Sequence, residues 1–368
     1  MKLTNIDIFH YRLPLKRALT SGDSAQRERE GMLIRLRDDS GAFGWGECAP
    51  LPPVNSESID RAAEQLRQLR LWAIGREMPD SLAKLDGAFN VWIGGLNLAP
   101  SVRCAFETAC LNMVARFKSL SLSQLLSVSA GDIVKVNALV DLSQPDILGE
   151  SSALREAGYE AFKLKVGRRT VDEDIASIRA LRRVVGDDAV LRLDANQLWT
   201  AQALLSVWSE VQQCDIDYFE EPVTDMSGLL SYLDRKAISI PLALDESLSK
   251  PDHEKLTTSA HVKALVLKPT ALGLERSVEL IRKARGLAKK AIISSTFESS
   301  IGISALVHIA AAFADRSVAM GLDTGGWLAE DLLDDPAASQ GGRFIVDDLP
   351  EPPEKIKSGL LTEMLCDE

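Results

Sequence analysis

Five short apolar runs in this chain each end in a charge, in the order Lys165, Asp194, Glu220, Asp245 and Lys268. Three carboxylates on neighbouring strands would form a hard oxygen cage. Such a cage favours Mg2+, with Mn2+ as a substitute, and leaves room for water and substrate oxygens. The four histidines, His10, His253, His261 and His308, form no compact cluster with cysteine, which argues against zinc. A lysine amine loses its proton more readily when desolvated or near other cations, so Lys165 and Lys268 are candidate acid/base groups flanking the metal. A cation beside ammonium groups suits removal of a proton α to a carboxylate, because the enediolate formed must be held by positive charge. Period-two alternation places Lys163 on the face of Lys165, and Arg192 on the face of Asp194. All four should point into one interior, which accepts charge only when it is paired.

The elements that must carry these groups alternate in type. Short apolar runs at 134–140, 161–166, 190–194, 216–220, 241–245, 264–268, 291–295 and 318–322 are separated by amphipathic stretches such as 171–185 and 274–288. That pattern predicts α/β architecture: parallel strands with right-handed crossovers, closed as a (β/α)8 barrel whose strand ends carry the site. Ahead of it, 2–13 and 31–36 alternate like strands, a turn falls at 38–41, and 42–47 completes a hairpin pattern. A helix is expected over 56–72, capped by Asn55 or Ser56, and another over 101–117. The tail after Gly325 regains strand character only at 343–346. The expected organisation is an α+β capping domain (1–98), the barrel (99–324) and a C-terminal segment returning to the cap (325–368).

The composition is that of an ordinary globular protein, 46% hydrophobic and 26% charged. A net charge of -11 repels phosphate backbones and anionic lipid, so neither nucleic acid nor a membrane is an expected partner. No obligate protein partner is evident. An acidic chain that takes a small-molecule carboxylate as substrate needs local positive charge from lysine, arginine or a cation. The five scattered cysteines show no paired spacing and read as free thiols, and the N-terminus lacks the apolar run of a signal peptide. A cytoplasmic location is expected. The basic cluster Arg179, Arg182 and Arg183 reads as the solvated end of a helix.

Together these motifs resemble the enolase superfamily over nearly the whole chain. Lys163-Leu164-Lys165 resembles its Lys-x-Lys motif, whose second lysine is the acid/base. Asp194-Ala195-Asn196, Glu220-Glu221-Pro222 and Asp245-Glu246-Ser247 resemble the three metal-ligand motifs, and Lys268-Pro269 resembles the sixth-strand lysine. Glu220, not Glu221, is then the metal ligand. Residues 46–52, 294–302 and 321–324 resemble the capping loop and the seventh and eighth strand motifs of the o-succinylbenzoate synthase branch. That resemblance implies syn-dehydration of 2-succinyl-6-hydroxy-2,4-cyclohexadiene-1-carboxylate to o-succinylbenzoate, in menaquinone synthesis. Lys165 would serve as acid and base and Lys268 would stabilise the enediolate. Arg192 and Asn196 would position polar groups, and backbone or hydroxyl donors at Ser294 and Gly321 would hold the succinyl carboxylate.

N-acylamino acid racemases and dipeptide epimerases of the same superfamily share this core. The epimerases show Asp-x-Asp on the eighth strand, where this chain reads Gly321-Leu322-Asp323. A muconate cycloisomerase and a non-catalytic metal-containing barrel are the remaining alternatives. The polar stretch 19–29 reads as a mobile lid or a surface loop, and the proline-rich 49–53 as a stiffer wall.

Overall fold

The computed structural model describes residues 1–21, 24–52, 57–141, 146–354, 356 and 358–364. Strand β1 (Leu3–Ser21) and strand β2 (Ser24–Asp38) form one long antiparallel hairpin, and β3 (Phe43–Cys48) adds to the free edge of β2. The polar stretch expected to be a loop is ladder instead, pairing through Leu19↔Gln26 to Ser21↔Ser24. A two-stranded ribbon has no core to face, so the absence of apolar alternation does not end it. Its register shifts between Pro14 and Leu19. Pro14 has no N–H to give the ladder. There Leu15 bridges to Leu328, and the Pro14 carbonyl accepts from Ala329 N at 2.8 Å, tying the hairpin to the tail.

The barrel strands follow. These are β4 (Ile133–Lys135), β5 (Ala138–Asp141), β6 (Ala161–Lys165), β7 (Val190–Asp194), β8 (Ile216–Glu220), β9 (Leu242–Leu244), β10 (Val262–Leu267) and β11 (Lys290–Ile293). From β5 to β11 they form a parallel sheet of seven in sequential order. The expected last strand, 318–322, is too irregular to be a full member but closes the barrel through single parallel bridges, Val136↔Met320 and Ser294↔Gly321. Met320 N donates to Lys135 O at 2.7 Å and Gly321 N to Ile293 O at 2.9 Å.

The expected first run divides in two. Its first half, β4, pairs antiparallel with β12 (Arg343–Ile345), so the 343–346 stretch covers the barrel, not the cap. The return to the first sheet comes later, where β13 (Leu361–Glu363) pairs with β1 at Phe9–Tyr11.

Helix Pro100–Phe117 crosses β3 closely enough that only glycine fits beneath it. A Cβ at Gly46 would lie 1.9 Å from Ala105 O, and one at Gly44 would lie 2.2 Å from Ala109 O. Helix Ile59–Ala73 is capped by Ser58, whose side chain accepts from Arg61 N; the expected caps Asn55 and Ser56 lie outside the described residues. Helix Val171–Val185 has the expected bounds. Arg182 at its end is not solvated: it is buried and donates to the carbonyls of Cys214, Gly186, Ala189 and Asp215. A guanidinium has enough donors to satisfy a whole turn of carbonyls, which a sequence of basic residues does not reveal. Cys48, Cys104, Cys110 and Cys214 are free and buried, and burial pushes the Cys48 thiol up to about 12; Cys366 lies outside the described residues.

Two predictions follow from this packing. Gly46→Ala should cost about 1–3 kcal/mol by overpacking, read as a lower denaturant midpoint. His308, on helix Ser300–Phe313, lies 3.2 Å from Ser123 Oγ, and burial lowers its pKa to about 4. The unfolded chain, titrating near 6.5, then binds the proton more readily than the folded one. Stability should therefore fall as pH drops from 6.5 toward 4, by up to ~3 kcal/mol, and His308→Gln should flatten that slope in denaturation curves.

Candidate active site

Strands β6 to β10 stand side by side, so their C-terminal ends form one arc across the barrel mouth. Lys165 pairs in register with Asp194, and Asp194 with Glu220. Asp245 and Lys268 follow the last residues of β9 and β10. The two lysines thus stand at the ends of the arc with the carboxylates between them.

The ammonium groups are wedged among the carboxylates. Lys163 Nζ lies 2.7 Å from Glu220 Oε1 and 2.8 Å from Asp194 Oδ2. Lys165 Nζ donates to Asp194 Oδ2 at 2.6 Å and to Asn196 Oδ1 at 2.7 Å, and Lys268 pairs with Asp245. Lys165 is the most open of the three, with 25% of its side chain exposed against 10% for Lys163 and 11% for Lys268. It is the lysine best placed to reach a molecule in the mouth.

Burial works against all these charges, and the neighbours decide the outcome. For Asp194 burial is outweighed by Lys163 and Lys165, which hold the carboxyl well below its ordinary range. Glu220 goes the other way: burial, then repulsion from Asp194, lifts it to about 8 despite Lys163. Lys268 is buried too, but Asp245 and Glu246 keep its proton bound more firmly than in water. Glu221 is lifted to about 7, by burial first and then by Glu246. Its carboxylate accepts from Asp245 N, Ser247 N and Ser247 Oγ at 2.7–3.0 Å, which fixes the end of β9.

The carboxylates suit a hard divalent ion in kind: oxygen only, three strands in sequence, and a buried Glu220 Oε2 with no hydrogen-bond partner. As they stand, among the described residues no three acidic, thiol or imidazole groups converge as a metal cluster, because ammonium groups hold the carboxylate oxygens.

A cavity of about 380 Å3 opens over the arc. Lys163, Lys165, Asn196, Lys268, Ser294 and Gly321 line it from the barrel, and Ala18, Leu19, Gln26 and Leu51 close it from the hairpin and the loop after β3. The polar stretch read as a lid therefore does face the mouth, as strand. Of the 49–53 wall, Leu51 reaches the cavity and Pro53 lies outside the described residues.

Arg192 does not belong to this group. Its guanidinium pairs with Asp217 at 3.2 Å, donates to Ala319 O at 2.7 Å and lies over the Tyr218 ring, lower in the barrel and facing a separate cavity. Its register partner Lys163 starts from the same layer, two residues below the mouth, and reaches up to Asp194 and Glu220, whereas the Arg192 guanidinium is spent on Asp217 and Ala319 O. The backbone donors at Ser294 and Gly321 are also committed: Ser294 N bonds to Leu267 O, extending the β10–β11 ladder, and Gly321 N to Ile293 O in closing the barrel. Ser294 keeps a hydroxyl at the cavity, directed to Gly321 O at 3.3 Å.

Glu246 was not singled out by the sequence, yet it lines the cavity, accepts from Asn196 Nδ2 at 3.3 Å and has a buried oxygen without a partner. Its place beside Asp245 was the only signal. Asn196, Gln197, Glu221 and Phe297, all just beyond strand ends at the mouth, have φ between 35° and 64°, a backbone region that costs energy outside glycine and gathers at working sites.

Residues 148–359 match the model of the enolase C-terminal domain-like family, more than half of the chain, and residues 3–87 match the MenC N-terminal domain. The chain belongs to the enolase superfamily. It is 30% identical to an o-succinylbenzoate synthase of Haemophilus influenzae, over 87% of this chain and 89% of that protein. It is 26% identical to an N-succinyl-L-Arg/Lys racemase of Bacillus cereus, over 84% of each. A crystal structure of the N-succinyl Arg/Lys racemase from that organism superposes with a TM-score of 0.79, at 23% identity and covering 95% of this chain and 97% of that one. It is also 30% identical to protein PHYLLO of Arabidopsis thaliana, over 90% of this chain but 21% of that much longer protein. As a superfamily enzyme the chain has relatives among synthases, racemases and epimerases.

The salt-bridge wedge yields a stability prediction. Lys163→Ala leaves Asp194 and Glu220 facing one another with less compensation and should cost about 3–5 kcal/mol, measured by chemical denaturation in EDTA.

Proposed function

We propose that this chain is an o-succinylbenzoate synthase, catalysing the Mg2+-dependent syn-dehydration of 2-succinyl-6-hydroxy-2,4-cyclohexadiene-1-carboxylate. The observation that carries this reading is the arc Lys165–Asp194–Glu220–Asp245–Lys268 under the mouth cavity, in a chain whose N-terminal part matches the MenC domain. The 30% identity with the Haemophilus influenzae synthase supports it.

Superfamily members use Mg2+. In this chain Asp194, Glu220 and Asp245 would hold it, and it would supply positive charge to stabilise an enediolate. Lys165, the most open lysine and steadied by Asn196, takes the α-proton and returns it to the departing hydroxyl on the same face, so the elimination yields water and a ring double bond. Lys268, kept protonated by Asp245 and Glu246, presents a fixed positive charge to the anionic intermediate. Lys163 spans Asp194 and Glu220 and balances their charge beneath the substrate. Ser294 offers its hydroxyl to the succinyl arm, and Gly321 makes room for that hydroxyl, since a Cβ there would lie 2.7 Å from Ser294 Oγ.

A second reading, N-acylamino acid racemisation, is favoured by the two lysines at opposite ends of the arc, where each could serve one face of an enediolate, and by the 26% identical racemase. Purified Mg2+-loaded protein mixed with the cyclohexadiene substrate should consume it, and Lys165→Ala should lower kcat by at least about 10^3-fold. Absence of turnover, with α-proton exchange of N-succinylamino acids in D2O, would move the assignment to racemisation. Asp245→Asn should weaken Mg2+ binding about tenfold or more in a calorimetric titration; an unchanged isotherm would remove Asp245 as a ligand.

A further inference from the structure

Glu47, near the end of β3, is a buried carboxylate that makes no hydrogen bond or ion pair with the arc among the described residues and joins the first sheet to the barrel. It accepts from Tyr11 Oη at 2.5 Å, from Ser299 N at 2.9 Å, from Ser299 Oγ at 2.5 Å and from Gly302 N at 2.9 Å. Three of those four donors belong to the first turn of helix Ser300–Phe313 or its cap residue, in the barrel. A negative charge from the first sheet therefore caps a barrel helix, where unpaired N–H groups and the helix dipole both favour it.

Two glycines make the room. A Cβ at Gly302 would lie 2.8 Å from Glu47 Oε2, and one at Gly31 would lie 2.3 Å from Tyr11 Oη. Arg29 joins the same junction: buried, and with no ion pair among the described residues, it donates to Thr296 O at 3.1 Å and to Pro50 O at 2.9 Å, as well as to Ala49 O. Glu298 locks the other side, accepting from Thr296 N at 2.7 Å and Thr270 Oγ1 at 2.6 Å. Between the barrel closure at Ser294 and the cap at Ser299 lies a short segment, and Ser294 to Phe297 line the mouth cavity. Phe297, at φ 61°, is held in a backbone conformation it would leave if its ends were free.

We propose that Glu47 is a positioning residue: by capping helix Ser300–Phe313 from the first sheet, it sets the 294–297 wall that substrate packs against. Residues 46–48 and 294–302 are then one device, the two halves of a joint that transmits the placement of the first sheet to the mouth. This role deepens the assignment of the mouth cavity as the active site and rests on it.

Glu47→Gln keeps the volume but replaces one carboxylate oxygen by an NH2, which in either orientation faces a backbone N–H that can only donate, Ser299 N or Gly302 N. Amide exchange across 294–302 should speed up about tenfold or more, while helix Ile59–Ala73 exchanges as before. KM for the cyclohexadiene substrate should rise about tenfold, with kcat within about twofold, because the wall binds ground state and transition state alike. Tyr11→Phe removes one donor of the four and retains the carboxylate, so it tests the same joint should Glu47→Gln not fold; a rise of about threefold in both readouts is expected. Unchanged exchange at 294–302 in a folded variant overturns the joint. Faster exchange with unchanged KM overturns its link to substrate. Faster exchange across 294–302 in Glu47→Gln, together with a wild-type protein that does not turn over the substrate, supports the joint and refutes the synthase assignment alone.

Discussion

Buried charge must be compensated, and the barrel mouth is organised around that requirement. Three carboxylates stand on adjacent strand ends, Glu246 lies beside the third, and each desolvated anion raises the cost of the next. The lysines answer it: Lys163 lies between Asp194 and Glu220, Lys165 against Asp194 and Lys268 against Asp245. The outcome is uneven. Asp194, touched by two ammonium groups, holds its charge firmly, while Glu220, touched by one, is lifted to about 8 and has an oxygen without a partner.

The scaffold keeps the cluster in place with bonds that are not themselves part of it. Glu221 spends its carboxylate on the backbone of Asp245 and Ser247, and so aims the end of β9. The last barrel segment closes through Met320 and Gly321 with single bridges to each side, which uses the backbone donor of Gly321, while that of Ser294 is spent on Leu267 O of β10. Here one physical demand displaces another. Donors that looked free for an anionic substrate are needed to seal the barrel, because an unpaired N–H in that interior would cost more than a substrate contact returns.

The first sheet is joined to the barrel by polar contacts that exclude water rather than by apolar contact alone. Glu47, Tyr11 and Arg29 sit in one layer with Ser299, Glu298 and Thr270, and the glycines at 31, 44, 46 and 302 let backbone and side chain approach at distances no larger residue allows. The hairpin of β1 and β2 continues beyond that joint to cover the mouth. Its bulge at Pro14 is where it takes hold of the tail, through Leu328 and Ala329.

Much of this was legible in the chain by itself. Apolar runs ending in charge give both the strands and their working ends, because a barrel strand is buried along its length and open only at its tip. Lys165, Asp194, Glu220, Asp245 and Lys268 are therefore read from local pattern, as is helix Val171–Val185 from its amphipathic period. Tertiary structure alone decided what depends on depth and on partners distant in sequence. Arg192 shares a face with Asp194 but sits a layer below it, beside Asp217 and Ala319. Residues 19–21 and 24–30 are ladder because a partner strand lies alongside, and 343–345 pairs with β4. Period and polarity are properties of neighbouring residues, whereas layer, register and the fate of a hydrogen-bond donor are set by whatever the fold brings against them.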